Sequence, residues 1–239
     1  MRLGGYFRST LHPWSCVIFV LPLLLTYEAG LLWLPSSQPE TLRNGADTWL
    51  REALAALGLV HLFWAPALLM GILVLWSLLL RRDRPADYLS VWIGMALESA
   101  LFSFGLYGLS RALWPIVNQV AMQTALPPPE PALEQVIGFV GAGIYEETLF
   151  RLLLFSALMW IFHLTDFPSL VSFGLAALGS ALLFAGAHHL GPHGESFAWY
   201  VFLFRSLAGV YFVFLFQLRG FGIAVGAHAG YDVLVGMLV

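Results

Sequence analysis

Seven stretches of this 239-residue chain are each long and apolar enough to cross a bilayer, and that limits what it can fold into more than any other feature. A span needs about 20 mostly apolar residues, each adding about 1.5 Å of rise. The runs are 14–34, 57–80, 89–113, 135–162, 169–189, 198–218 and 221–238. Lipid offers the backbone no hydrogen-bond partner, so runs of this length are expected to be helices. The fold class expected is all-α: a polytopic transmembrane bundle of seven spans, with its active site inside the bundle. An eighth span follows if segment 111–126, apolar but broken by Pro115 and Asn118, also crosses. Only 10% of the residues are charged, against about a quarter in a soluble domain. Such a chain cannot cover itself with polar surface in water and needs lipid as its solvent.

The proline-rich stretch Pro127-Pro128-Pro129-Glu130-Pro131 is a stiff, non-helical break. It divides one membrane domain into residues 1–126, three spans without a motif, and residues 127–239, four spans that carry the chemistry. Segment 46–57 has the pattern of an amphipathic lead-in to the second span. The N-terminus resembles a signal peptide, with Arg2 and Arg8 ahead of an apolar run. That run continues through Trp33-Leu34 with no small-residue cleavage site, so it is expected to stay as the first span. On seven spans, Arg2, Arg8, Arg81, Arg82, Arg84 and Arg219 fall on one side; Arg43, Arg51 and Arg111 fall on the other. Cytoplasmic loops carry the excess of Arg and Lys, so this count predicts a cytoplasmic N-terminus. A net charge of −3 gives no reason to expect nucleic acid as a partner. The single cysteine, Cys16, excludes an internal disulfide and a cysteine zinc cage.

Ionisable side chains inside spans cost several kcal/mol, so each is a functional candidate. Here they are Glu28, Glu98, Glu146, Glu147, Arg151, His188, Arg205, His228 and Asp232, with His61 and His189 near span ends. Most lie in the last four spans. Adjacent helical residues point about 100° apart, so Glu146 and Glu147 cannot do the same job. Glu147 and Arg151, four apart, share a face and can pair. That leaves Glu146 free to face other helices. His188 follows Phe184 by four residues, and Asp232 follows His228 by four, which puts each pair on one helical face. For Glu28 and Glu98, which have no motif around them, protonated and hydrogen-bonded packing is the expectation. Arg205 is expected either to answer these acids or to snorkel.

Taken together, Glu146-Glu147-Thr-Leu-Phe-Arg151, Phe184-Ala-Gly-Ala-His188 and His228-Ala-Gly-Tyr-Asp232 resemble the CAAX-processing and bacteriocin-processing intramembrane protease family, which includes the Ras-converting endopeptidases. The family pattern is Glu-Glu-x-x-x-Arg, then Phe-x-x-x-His, then His-x-x-x-Asn or Asp on successive spans. Order and spacing fit, and the resemblance covers residues 135–239. Asp232 stands where the eukaryotic branch has Asn, and an ionised carboxylate cannot donate to an oxyanion.

The resemblance implies hydrolysis of a peptide bond in or beside the membrane. Glu146 is the expected general base on water, with His188 orienting that water. His228 donates to the developing oxyanion, Asp232 positions His228, and Arg151 holds Glu147. The substrate implied is a membrane-anchored protein or peptide whose C-terminal region is matured or released. The sequence requires no cofactor. A zinc version would use Glu146, His188 and His228 as ligands, but no His-Glu-x-x-His signature is present. Two readings compete: a proton-coupled transporter, since intramembrane acids and histidines also build proton relays, and a non-catalytic immunity or assembly factor with the same fold. No inverted repeat favours transport. The all-Arg basic complement suggests a bacterial cytoplasmic membrane.

Overall fold

The computed structural model describes residues 3–34, 43–80, 87–118, 132–191 and 194–238, and their regular structure is entirely helical. A short α1 (Leu3–Thr10) precedes α2 (Pro13–Trp33), α3 (Gly45–Ala56), α4 (Trp64–Leu79), α5 (Tyr88–Asn118) and α6 (Ala132–Glu147). α6 continues without a break through a wider π-helical stretch, Thr148–Phe155, into α7 (Ser156–His163). α8 (Ser169–Ala187), α9 (Trp199–Arg219) and α10 (Phe221–Leu238) follow. Pro13–Trp33, Tyr88–Leu113, Ser169–Ala187 and Trp199–Arg219 have the length and apolar composition to cross a membrane; Trp64–Leu79 and Phe221–Met237 are shorter apolar helices. The chain is an all-α integral membrane protein.

The seven apolar runs fall on helices, with two changes of boundary. The run 57–80 does not begin as a helix. Gly58, at φ +83°, ends α3 in a turn, and α4 starts only at Trp64. Residues 111–118 continue α5 instead of opening a separate shallow helix. The rest of that segment, the break at 127–131, and the arginines at 2, 81, 82 and 84 lie outside the described residues.

α10 is the hub, packed against α5, α6, α9 and α2. Gly220 turns the chain from α9 straight into α10 with φ +96°. A Cβ there would meet the Thr10 carbonyl oxygen at 2.7 Å, so both conformation and space require glycine. On the α6–α10 contact, a Cβ at Gly143 would stand 2.8 Å from both the Cβ and the backbone nitrogen of Ala229. The bare glycine lets the two backbones approach closely, which brings the Glu146-Glu147 turn beside His228. The Ser103 hydroxyl of α5 donates to the Ala227 carbonyl at 2.9 Å and fixes α10 from its other side.

α2, α3 and α6 share a polar network. Arg51 of α3 pairs with Glu28 of α2 at 2.8 Å and with Asp47 at 2.6 Å. Arg43 pairs with Asp47 at 2.7 Å. The Tyr27 hydroxyl donates to Asp47 at 2.9 Å, and the Tyr145 hydroxyl of α6 donates to Glu28 at 2.6 Å. Glu28, expected to pack without a charged partner, is an ion-pair partner, because α3 folds back and delivers Arg51 to it. Glu98 departs from expectation in the same way: Arg219, at the end of α9, pairs with it, and the Tyr6 hydroxyl donates to it at 2.7 Å.

Candidate active site

The last turn of α6 sends three consecutive side chains in three directions, as helical geometry requires. Tyr145 faces the Glu28 network. Glu147 is fully buried and lies 3.0 Å from Nη1 of Arg151, which is also fully buried. The guanidinium of Arg151 sits over the Phe184 ring at 4.3 Å and near the Phe212 ring at 5.2 Å. Its Nη2 donates to the Gly209 carbonyl at 3.4 Å. A buried cation held by one carboxylate and two ring faces keeps its charge compensated without water.

Glu147 has a second partner. His228 donates from Nδ1 to Glu147 Oε1 at 2.8 Å. Its ring stacks on Phe212 with centroids 4.5 Å apart and planes 14° from parallel, and meets Phe184 edge-on. A donating Nδ1 leaves Nε2 as the working nitrogen. Nε2 lies 3.6 Å from Glu146 Oε2 and 3.5 Å from Asp232 Oδ2. The carboxylate on the Nδ1 face, which sets tautomer and ring angle, is thus Glu147. Asp232, expected to position His228, lies on the Nε2 side of the ring. The i,i+4 spacing does bring Asp232 to the ring, but Gly143 brings α6 closer to the other side.

His188 ends α8. Its Nδ1 contacts the Phe184 carbonyl at 2.8 Å, so the proton sits on Nδ1 and Nε2 carries the lone pair when the ring is neutral. Nε2 points at Glu146 Oε2, 3.7 Å away. Of the two adjacent histidines, His188 faces the cluster. His189 turns outward, contacts the Glu195 carbonyl at 3.1 Å through Nδ1, and packs on Phe197. Among the described residues Arg205 forms no ion pair with the intramembrane acids and has its partner outside the cluster. It holds Glu195, in the connection after His188, with two hydrogen bonds of 2.7 and 2.9 Å. These bonds keep the Glu195 carboxyl below its ordinary range.

Glu146 is the centre of the arrangement. Oε1 accepts from Asn44 Nδ2 at 3.1 Å. Oε2 is buried, accepts no hydrogen bond from any described residue, and faces Nε2 of both histidines. Separations of 3.6–3.7 Å exceed a direct hydrogen bond. Glu146, Glu147, Arg151, His188, His228 and Asp232 therefore form one contiguous cluster. Asn44 and Phe212 belong to it too, and the sequence reading passed over both. Asn44 sits in a polar connection where an Asn is unremarkable, and Phe212 is one of 19 phenylalanines. The only signal available was the N-cap position of Asn44 before a helical pattern. Among the described residues no group of three His, Cys, Asp or Glu side chains is arranged to hold a metal ion, the Glu146, His188 and His228 set included.

Residues 128–234 match the family model described as type II CAAX prenyl endopeptidase, Rce1-like. The matched segment contains all six clustered residues named above and stops short of Asn44. No curated protein and no solved structure matches the chain.

Proposed function

We propose that this chain, whose residues 128–234 match the Rce1-like endopeptidase family model, is an intramembrane endopeptidase in which Glu146 activates water. The observation that carries the reading is the buried, unpartnered Oε2 of Glu146, aimed at two imidazole nitrogens on two other helices. The Glu146 carboxylate oxygen and the Nε2 lone pair of His188 are both acceptors, and water is the species that satisfies both.

Glu146 removes a proton from that water as its oxygen attacks the scissile carbonyl. His188, its Nδ1–H held by Phe184, orients the water through Nε2. His228 donates from Nε2 toward the oxyanion, and the Glu147 carboxylate on Nδ1 supports the positive ring. When the C–N bond breaks, the proton on Glu146 passes to the leaving nitrogen, giving a carboxylic acid and an amine. A donor to an oxyanion contributes about 10²–10³ in rate. Asp232 lies on the Nε2 side of His228, where it acts as a positioning residue. Arg151 holds Glu147 in place. No step here passes through a metal, and turnover is expected to survive exhaustive chelation; loss of activity restored by zinc would replace this mechanism.

The substrate class is a membrane-anchored protein or peptide whose C-terminal region is removed, and a prenylated CAAX-type peptide is the first probe. The Arg asymmetry supports a cytoplasmic N-terminus in a bacterial cytoplasmic membrane, which puts His188 toward the outer face. The test compares protein termini in the membrane and secreted fractions of cells expressing the wild type or Glu146→Gln. Wild type should produce termini that the variant lacks, with both proteins present in equal amounts. Identical termini would refute the protease reading and leave transport or a non-catalytic role.

A further inference from the structure

We propose that Asn44, which lies outside the family-matched segment at the start of α3, is a positioning residue that holds Glu146 in its working orientation. The inference rests on the reading of Glu146 as the base. Glu146 uses its two oxygens differently: Oε1 accepts from Asn44 Nδ2 at 3.1 Å, while Oε2 faces Nε2 of His188 and His228. Fixing one oxygen fixes the other, because the carboxylate is planar.

The direction of the Asn44 amide follows from chemistry. Asn44 is the N-cap of α3, and its Oδ1 accepts from the Asp47 backbone N–H at 2.8 Å. Exchanging oxygen and nitrogen would oppose two donors at the cap and two acceptors at Glu146. The cap therefore commits Nδ2 to Glu146. α3 itself is held rigidly: Asp47 pairs with Arg51, Arg51 with Glu28, and Glu28 accepts from Tyr145, the residue before Glu146. The path from Asn44 through α3 and α2 returns to Glu146 as a closed loop of contacts. A neutral amide also suits the task better than a cation, since it orients the carboxylate without neutralising it. The charged and titratable groups near Glu146 are His188 from α8, His228 with Asp232 beyond it from α10, and Arg151 one turn on in its own helix.

The test uses the full chain in lipid nanodiscs with a prenylated CAAX-type peptide. N44S and N44D both keep a residue type favoured at N-caps, so α3 should remain folded. N44S loses a hydrogen bond to a charged group and should lower kcat about tenfold with little change in KM. N44D puts a second carboxylate beside Glu146 and should move the acid limb of the kcat–pH profile upward by about one unit or more. The infrared carboxylate band that disappears in E146Q gives a readout without substrate, and it should shift in both Asn44 variants. Wild-type kcat, profile and band in both variants would overturn the inference, as would a defect confined to KM. If E146Q still cleaves, the base reading fails; if E146Q is dead while the Asn44 variants behave as wild type, only the Asn44 inference fails.

Discussion

Gly143→Ala tests whether the approach of α6 to α10 sets the site. The added methyl would lie 2.8 Å from the Ala229 Cβ and backbone nitrogen and 2.9 Å from the Val225 carbonyl oxygen. Ordinary contact begins near 3.4 Å, so α10 must retreat by about 0.6 Å. Two of the three obstacles are backbone atoms, which no rotamer change relieves. Gly143 and Glu147 share a face of α6, and His228 is the neighbour of Ala229, so the retreat acts on the 2.8 Å bond from His228 Nδ1 to Glu147 Oε1. Stretched by that amount it leaves the range of a good hydrogen bond, about 2.7–3.2 Å. Overpacking of this kind costs about 1–3 kcal/mol, and a misplacement approaching 1 Å near the chemistry costs up to about 100-fold in rate. Turnover should fall by at least about tenfold, while the thermal midpoint drops by only about 4–8 °C. Adding Ala229→Gly should not rescue turnover, because the backbone nitrogen and the Val225 oxygen remain. Full activity with an unchanged midpoint in Gly143→Ala would refute the argument. Rescue by the double variant would show that the methyl pair, and not the backbone approach, sets the spacing.

Two further outcomes follow from the charges. Glu147→Gln strands the buried Arg151 and should destabilise the fold by about 3–5 kcal/mol. Glu147→Gln combined with Arg151→Met should recover most of that loss but not turnover, since His228 Nδ1 still lacks its carboxylate; thermal unfolding and peptide cleavage measured on the same samples separate the two effects. The Glu195–Arg205 tie should depend on acidity. Arg205 hydrogen bonds lower the Glu195 carboxyl below its unfolded value, so the tie is present above the ordinary carboxylate range and is lost as pH falls through the lowered one. Hydrogen-exchange protection at residues 194–198, taken relative to the intrinsic rate at each pH, should therefore fall on acidification in the wild type, and already be low at neutral pH in Glu195→Gln.

What was legible in the sequence had a physical reason to be. A charge in lipid is expensive enough to stand out, so Glu146, Glu147, Arg151, His188, His228 and Asp232 are conspicuous among apolar neighbours, and helical spacing pairs Glu147 with Arg151. The all-α architecture follows from the length of the apolar runs. Contacts between distant segments were not legible. Glu28 and Glu98 look unpaired because Arg51 and Arg219, their partners, lie on other helices. That Glu147 meets Nδ1 of His228 depends on a helix separation that Gly143 and its neighbours decide. The π-helical stretch at Thr148–Phe155 leaves no mark in the apolar pattern.

Tyr145, Glu146 and Glu147 leave one turn toward α3 with α2, toward α8 with α10, and toward α10 with Arg151. The consequence concerns how such a protein can change over generations. Turning α6 to improve any one of these contacts worsens the other two, so the helix is locked in phase and drift cannot tune the three singly. Acceptable change must then come as matched substitutions on both sides of the chain. Residues near 28, 44 and 51 should co-vary with those near 145–147 and 228 despite lying on opposite sides of the 127–131 break.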